Sequence, residues 1–305
     1  MPDALIIPGL PRCATTALVN VLGQHPELQV GVQKEPHYFI PEYLKQRLYT
    51  FESSGKRVPF SGLGFCTDVS SYRDNFPAGD GGTWIDASTL YSAFPESVSE
   101  IAKHGFGQVR FIVMFRQSLN RAWSHYNFSC SRGEEYREFT DALSQEDDTQ
   151  DWLLKGYQSA GRIAPVCEAI TRIFGSEALY LIDVDSTDIL ERDVLQDISS
   201  FAGLSDFEYS TDVYGNGSEQ MKYGWLQTLR IWLRRIRQMN PAIFDNRITR
   251  WLFERFMSVA PKGDKQQMPE LPDNVKNTFL EIDAENQQVY RAWKQQRSQH
   301  QARIA

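Results

Sequence analysis

The feature that most constrains the fold of this chain is the segment 4–20, with the sequence ALIIPGLPRCATTALVN. It opens with the apolar run 4–7, which is short enough for a buried strand. Pro8, Gly9 and Pro11 then interrupt the strand, and apolar residues at helical spacing follow. This order of strand, tight loop and helix predicts an anion site, because free backbone N–H groups point into the loop and the helix dipole adds positive potential.

The loop differs from the nucleotide-binding motif G-x-x-x-x-G-K-[ST] at two positions. Ala14 replaces the second glycine and Thr15 replaces the lysine, so an ordinary ATP or GTP hydrolase is disfavoured. The cation of the loop is instead Arg12. We expect Thr15 and Thr16 to cap the following helix with their side chains. Taken alone, the segment is also compatible with an ordinary strand–helix turn.

A carboxylate flanked by a cation and an imidazole follows a second short apolar stretch, 28–32. The flanking residues are Lys34 and His37, and the carboxylate is that of Glu35. Pro36 biases Glu35 towards an extended conformation, which suits a carboxylate held at the edge of a sheet. The alternative is a solvated loop with a packed aromatic pair.

The third informative segment starts with a nearly continuous apolar run, 109–115, as expected for a parallel strand that is buried on both faces. Arg116 follows the run, and we expect Ser118 to cap a helix that begins at Leu119. Ser124 lies on that helix. A guanidinium group and a hydroxyl group placed in this way can contact one phosphate. The alternative is an amphipathic helix with an exposed arginine and serine.

Strings within these segments resemble the motifs of PAPS-dependent sulfotransferases, where PAPS is 3′-phosphoadenosine 5′-phosphosulfate. In chain order they read P-R-C-A-T-T, K-E-P-H-Y-F and R-Q-S-L-N-R-A-W-S-H-Y. The second string is similar to the K-E-P-H-[FY]-F string of carbohydrate sulfotransferases, including the heparan-modifying enzymes. The chain thus resembles this subgroup, in a bacterial form, and the resemblance covers residues 4–204.

The resemblance implies transfer of a sulfuryl group from PAPS to an acceptor hydroxyl, with a carbohydrate or glycoconjugate as the favoured acceptor. It implies that Glu35 is the general base and that Arg12 stabilises charge, with Lys34 and His37 as helpers. The residues implied in PAPS binding are Arg12, Cys13, Ala14, Thr15, Thr16, Arg116, Ser124 and Lys265. No metal-ligand cluster is evident in the sequence, and this chemistry requires none. Sugar, lipid, small phenol and peptide acceptors all stay open.

The chain departs from the family patterns at several positions. The heparan-type string E-K-[ST]-P-x-Y carries a functional lysine, whose position in the segment 86–91 is occupied by Ala87. Gln117 and Ser118 replace the Asp-Pro pair that follows the phosphate-binding arginine in the family. Two alternatives therefore remain, namely a nucleotide kinase on the same fold and a catalytically inactive nucleotide-binding relative.

Repeated strand–helix units predict an α/β fold with a mostly parallel central sheet and helices on both faces. This is the P-loop-like fold that the resemblance also implies. Ligands of such sheets bind outside the carboxyl ends of the strands, where all three segments are predicted to lie. We expect a single domain over 1–305, with the α/β core at 4–204 and a mainly helical extension at 205–305. A helix over 271–293 should end in a frayed polar tail at 294–305.

Composition limits the partners and the location of the protein. A net charge of −7 disfavours a general nucleic-acid binder. The four cysteines show no paired spacing, which indicates neither a disulfide framework nor a zinc site. With no signal peptide and no run of about 18 apolar residues, we expect a cytoplasmic protein. An arginine-bearing helix over 225–237 is either a surface helix or a peripheral contact for a membrane or a lipid-linked acceptor. No oligomeric state is predicted.

Overall fold

Strands and helices alternate along the chain. The computed structural model describes residues 2–43, 50–53, 56–59, 66, 68–77, 81–132, 135, 137–145, 156–212, 233, 249 and 267–304. The strands are β1 (Asp3–Ile6), β2 (Leu28–Val30), β3 (Thr50–Ser53), β4 (Lys56–Pro59), β5 (Thr83–Asp86), β6 (Val109–Phe115) and β7 (Leu179–Asp183). The α-helices are α1 (Thr15–Leu22), α2 (Val69–Asp74), α3 (Glu96–His104), α4 (Ser118–Arg132), α5 (Phe139–Ser144), α6 (Ala164–Phe174), α7 (Arg192–Ala202) and α8 (Asp273–Ile304).

Five strands form one parallel sheet in the order β2-β5-β1-β6-β7, and β3 and β4 form a separate antiparallel pair. Ile6 of β1 lies opposite Asp86 on one side and Phe111 on the other. The central strands are apolar along nearly their whole length because both faces of the sheet are covered. The predicted α/β fold with a parallel central sheet is confirmed.

Connections run in two directions across this sheet. The connection from β1 leads to β2 on one side, whereas those after β5 and β6 lead to the other side. Such crossovers are right-handed, so connections that move across the sheet in opposite directions place their helices on opposite faces. Helix α1 therefore lies on one face, and α3 and α6 lie together on the other. The direction changes at β1, so its carboxyl end is the point where a ligand crevice is expected.

The start of α4 differs from the prediction that Ser118 caps a helix beginning at Leu119. The helix begins at Ser118 itself. The backbone N–H of Ser118 donates to Asp283 Oδ1 at 2.7 Å, and its hydroxyl donates to the carbonyl of Phe279 at 3.0 Å. Both partners lie on α8, so a contact that is distant in sequence replaces the local cap.

The prediction of a frayed tail after residue 293 was wrong, because α8 continues to Ile304. One polar side chain of this stretch, that of Arg297, has partners on the core. Arg297 Nη2 donates to Asp197 Oδ1 at 2.6 Å, and the Arg297 guanidinium lies 4.4 Å from the centre of the Tyr180 ring. An ion pair and ring contacts therefore hold a segment whose composition indicates disorder.

Some predictions fall on residues that the structure does not describe. Lys265 and the arginine-bearing helix over 225–237, apart from Leu233, lie outside the described residues. The single domain over 1–305 and its helical extension stay predictions. None of the described helices combines the length and the apolar character needed to cross a membrane.

Candidate active site

Residues from all three predicted segments lie at one edge of the sheet, because the five parallel strands end there. The loop 8–14 follows β1, Lys34 and Glu35 follow β2, and Arg116 follows β6. Ser124 is brought to the same edge by α4. The sequence-predicted site is therefore assembled around the carboxyl end of β1, the expected position of the crevice.

The loop 8–14 is fastened to the sheet by a backbone bond. The N–H of Leu10 donates to the carbonyl of Met114 at 2.9 Å. Gly9 packs so closely on its neighbours that a Cβ at this position would lie 2.6 Å from Thr15 Cγ2. A side chain at residue 9 would therefore displace the loop from the start of α1.

Backbone strain in the described chain is concentrated at this site. The non-glycine residues with positive φ are Arg12 at 71°, Ala14 at 59° and His37 at 50°. This conformation costs an L-residue roughly 1–2 kcal/mol and persists only where the surroundings impose it. All three residues belong to the predicted site, which favours a functional reason for the strain.

Thr15 and Thr16 do not cap α1 with their side chains, contrary to the prediction. Ala14 is the N-cap residue, and it makes no side-chain cap bond. The two hydroxyls instead accept hydrogen bonds from Lys34 Nζ, each at 3.1 Å. The ammonium group of Lys34, which follows β2, thereby orients both hydroxyl groups at the start of α1.

Cys13 contributes to the shape of the loop. Its N–H donates to the carbonyl of Leu10 at 3.2 Å, and its side chain is fully buried. Burial raises the pKa of the Cys13 thiol to about 12, so the thiol stays neutral. A donor-binding role for Cys13 and for the exposed Ala14 stays a prediction.

Glu35 is held at both carboxylate oxygens. Lys34 Nζ donates to Oε1 and Thr89 Oγ1 donates to Oε2, each at 2.8 Å. Desolvation alone would raise the pKa of Glu35, but the charge of Lys34, the nearby His37 ring and the two hydrogen bonds outweigh it and lower the pKa. With 31% of its side chain exposed, Glu35 is an ionised carboxylate that stays accessible to a ligand.

His37 is completely buried, and its ring therefore does not offer a second base to an acceptor. Burial lowers the pKa of His37 to about 4, so the ring is neutral at pH 7. Nε2 lies 3.5 Å from Glu35 Oε2, and the backbone N–H donates to Ser88 Oγ at 2.9 Å. The structure places His37 beside the carboxylate, and its role as a helper stays a prediction.

Arg12 is grouped with the residues of the third segment. Its Nε donates to Ser124 Oγ at 3.2 Å, and its guanidinium carbon lies 4.7 Å from the centre of the Phe128 ring. Desolvation and the nearby positive charge of Arg116 lower the pKa of Arg12. Two guanidinium groups and a hydroxyl group in one place form a cluster that suits a dianion.

Arg116 also faces a carboxylate. Arg116 Nη2 lies 3.5 Å from Asp185 Oδ1, and Asp185 Oδ2 accepts a hydrogen bond from the N–H of Gln117 at 2.6 Å. About a third of the Arg116 side chain is exposed. The guanidinium group is therefore oriented by Asp185 and stays accessible to a ligand.

Arg121, which lies in the third string, has a structural position. Its side chain is fully buried in the interior. Nη2 donates to the carbonyl of Gly156 at 3.1 Å and also to that of Tyr157. Its positive charge also acts on the buried Cys13 thiol of the loop 8–14, where it opposes the rise in pKa that burial causes.

Two residues that contact the site were not predicted from the sequence, Thr89 and Asp185. Thr89 occupies the proline position of the family string in the segment 86–91, so the resemblance drew no attention to it. Asp185 follows β7. Both lie just beyond the carboxyl end of a parallel strand, and a search for polar residues after every strand would have found them.

No group of three or more His, Cys, Asp or Glu side chains within the described residues is arranged to hold a metal ion. The charged groups at the site are thus a carboxylate and the cations Arg12, Lys34 and Arg116, with Asp185 beside the last. The arrangement can bind an anionic ligand and present a base next to it.

Comparison with solved structures decides the fold. The match to the sulfotransferase from Alicyclobacillus acidocaldarius has a TM-score of 0.58 and 22% identity, and covers 82% of this chain and 99% of that chain. The fold is that of a sulfotransferase. The sulfotransferase domain of the Synechococcus PCC 7002 olefin synthase is also similar, at a TM-score of 0.44 and 17% identity over 93% of this chain and 94% of that domain. We base the fold assignment on the first structure alone. No protein-family model and no curated protein sequence matches the chain.

Proposed function

We propose that this protein transfers a sulfuryl group from PAPS to an acceptor hydroxyl group. The observation that carries the proposal is the position of the Lys34 ammonium group, which contacts Thr15, Thr16 and the carboxylate of Glu35. One cation thereby joins an anion-binding loop to an accessible base. Transfer from an anionic donor to a hydroxyl group needs both parts next to each other, and the shared fold supports the same chemistry.

The donor has two anionic ends, for which the site offers two groups of side chains. We assign Lys34, Thr15 and Thr16 to the 5′-phosphosulfate, together with N–H groups of the loop. Arg116 and Ser124 are assigned to the 3′-phosphate, since an arginine and a hydroxyl group suit its oxygens.

The residues present fit a ligand with phosphate and sulfate groups. Arg12, Lys34 and Arg116 concentrate positive charge in a chain whose net charge is −7. Arg12 lies in the loop and bonds to Ser124, so its positive charge lies between the groups that we assign to the two ends of the donor. The close approach at Gly9 keeps the loop backbone near the start of α1.

Proton removal and charge stabilisation are the two tasks of the chain in this reaction. Glu35 accepts the proton of the acceptor hydroxyl as that oxygen attacks sulfur. A new S–O bond forms while the bond between sulfur and the bridging phosphate oxygen breaks, and the bridging oxygen keeps the electron pair. Lys34 stabilises the negative charge on this leaving oxygen. The products are the sulfated acceptor and adenosine 3′,5′-bisphosphate (PAP).

A carbohydrate or glycoconjugate is the acceptor that we favour, supported by the K-E-P-H-Y-F string. Lipid, phenol and peptide hydroxyl groups are the alternatives. A panel of desulfated heparin, lactose, 2-naphthol and a tyrosine-containing peptide, assayed by release of PAP from PAPS, separates the sugar, phenol and peptide classes. We expect the highest turnover with one of the two sugar acceptors.

PAP is expected to stabilise the fold more than ADP does. A ligand at about 100 times its Kd adds roughly 2.7 kcal/mol to the free energy of unfolding, which a thermal-shift assay detects as several degrees. ADP lacks the 3′-phosphate and should give a smaller shift. A larger shift with ATP and Mg²⁺ than with PAP would instead favour the nucleotide kinase. PAP binding without turnover of PAPS would identify an inactive relative.

Replacing Arg116 with alanine should weaken PAP at least tenfold and ADP much less. A charge-assisted hydrogen bond contributes roughly 1.5–3 kcal/mol, and only PAP carries the group that we assign to this residue. Calorimetric titration of both nucleotides measures the difference. Arg172→Ala, at an exposed position on α6, is the matched control. Equal losses for PAP and ADP would mean that Arg116 supports the structure and does not bind the 3′-phosphate.

A further inference from the structure

The segment 86–91 contacts Glu35 directly through one side chain. The hydroxyl of Thr89 donates to Glu35 Oε2 at 2.8 Å, and Lys34 Nζ donates to the other oxygen at the same distance. The two donors come from different parts of the chain, and together they fix the rotation of the carboxylate group. Without the hydroxyl of Thr89, Oε2 would still lie 3.5 Å from Nε2 of the His37 ring, within the part of the chain that the structure describes.

A buried carboxylate anchors the same segment. Asp86 is fully buried and accepts hydrogen bonds from the N–H of Ser88 at 3.0 Å and from its hydroxyl at 2.6 Å. The hydroxyls of Tyr91 and Tyr72 donate to the other oxygen of Asp86 at 2.9 and 3.2 Å. Moving this segment would leave several buried polar groups without partners, which is unfavourable, so the segment is held in place.

The segment also holds the backbone on both sides of Glu35. The N–H of Ala87 donates to the carbonyl of Lys34 at 3.1 Å. On the other side, Ser88 Oγ accepts from the N–H of His37 at 2.9 Å. The residues before and after the carboxylate are thus tied to the same segment that supplies the hydroxyl of Thr89.

We propose that Thr89 is a positioning residue that orients the carboxylate of Glu35. Asp86 fixes the segment from which Thr89 acts. The inference rests on the proposed function, in which Glu35 is the base. A hydrogen bond donated to a carboxylate favours its charged form. The titratable groups that contact Glu35 in the described part of the chain are Lys34 and His37, and both remain when Thr89 is changed.

Thr89→Val tests the inference, because valine keeps the shape of threonine and removes the hydroxyl. Loss of the hydrogen bond raises the pKa of Glu35, so the acidic limb of the kcat/KM profile should move up by about 0.5–1 pH unit. We expect kcat to fall roughly fivefold to tenfold at pH 7, whereas the Kd of PAP stays within about twofold. Thr89→Ser keeps a hydroxyl group, so its acidic limb and its kcat should both lie close to the wild-type values.

Release of PAP from PAPS is measured with whichever acceptor of the panel (desulfated heparin, lactose, 2-naphthol or the tyrosine peptide) gives the highest turnover. Thr278→Val is the matched control, since that hydroxyl bonds to a carbonyl of its own helix. In a Glu35→Gln background, Thr89→Val should cause no further loss, because its effect acts through the carboxylate. An additive loss there would overturn the inference.

The two hypotheses fail in different ways. Wild-type turnover combined with an unmoved acidic limb in Thr89→Val would overturn the role of Thr89 and leave sulfuryl transfer intact. A shift that Thr89→Ser does not reverse would do the same. A wild-type protein that releases no PAP from PAPS with any acceptor would overturn the proposed function, and the role of Thr89 with it.

Discussion

Replacing Glu35 with glutamine is expected to lower kcat at least a hundredfold, while the Kd of PAP stays within about twofold of the wild-type value. A positioned base contributes ~10²–10⁴-fold to the rate of such a proton transfer. Glutamine has the size of glutamate and can still accept the hydrogen bond from Thr89. It cannot accept a proton, so the change removes basicity and leaves the shape of the site. Initial rates at saturating PAPS and calorimetric titration with PAP provide the two measurements.

Glu100→Gln is the control for this substitution, because Glu100 is a partly exposed residue of α3 that pairs with Lys103. It should have wild-type kcat. If Glu35→Gln retains more than a tenth of the wild-type turnover, the base is not Glu35. His37 is a poor substitute, since its ring is buried and neutral.

Lys34→Met should lower kcat by about a hundredfold and raise the Kd of PAP by less than tenfold. Removing one donor that stabilises charge in a transition state typically costs ~10²–10³ in kcat. Methionine approximates the length of lysine without its charge, and the hydroxyls of Thr15 and Thr16 lose a common partner. Loss of the ammonium group also raises the pKa of Glu35, so the acidic limb of the rate profile should move to higher pH.

Two further variants give this prediction its controls. Lys34→Arg keeps a cation and should recover part of the lost rate. Lys103→Met removes an exposed lysine of α3 and should behave as the wild type. Unchanged kcat in Lys34→Met would show that Lys34 only supports the loop, and the charge on the leaving oxygen would then need another partner.

The fold could be predicted because its signals are local. The apolar runs at 4–7 and 109–115 overlap the buried strands β1 and β6. Strand–helix alternation then requires parallel strands, which brings all of the carboxyl ends to one edge. This geometry explains why Glu35 and Arg116, far apart in sequence, were expected at the same site.

The predictions that failed depended on contacts between distant residues. Serine is a residue type that commonly caps helices, but the N–H and hydroxyl of Ser118 bond to α8. Thr15 and Thr16 also look like caps, yet their hydroxyls bond to Lys34. From the local sequence, the expected partner of such a hydroxyl is a free backbone N–H at the start of its own helix. The hydroxyl does not make this bond when the tertiary structure offers it a charged donor or a carbonyl group instead.

Thr89 was missed for a related reason. Its proposed role depends on the bond to Glu35, which is 54 residues away in sequence. No sequence motif links two residues at that separation. The segment 86–91 carries another such case, because Asp86 reads as an ordinary end of a strand. Only the folded chain shows that four donor atoms converge on it.

The bonds between Ser118 and α8 have a consequence for the order in which the protein folds during synthesis. The N-terminus of α4, next to Arg116, is fastened by residues Phe279 and Asp283, more than 160 positions later in the chain. The loop 8–14, Glu35 and Ser124 all leave the ribosome long before α8. This edge of the sheet therefore lacks its contacts with α8 until nearly the whole described chain has emerged. Such contacts of high sequence separation form slowly.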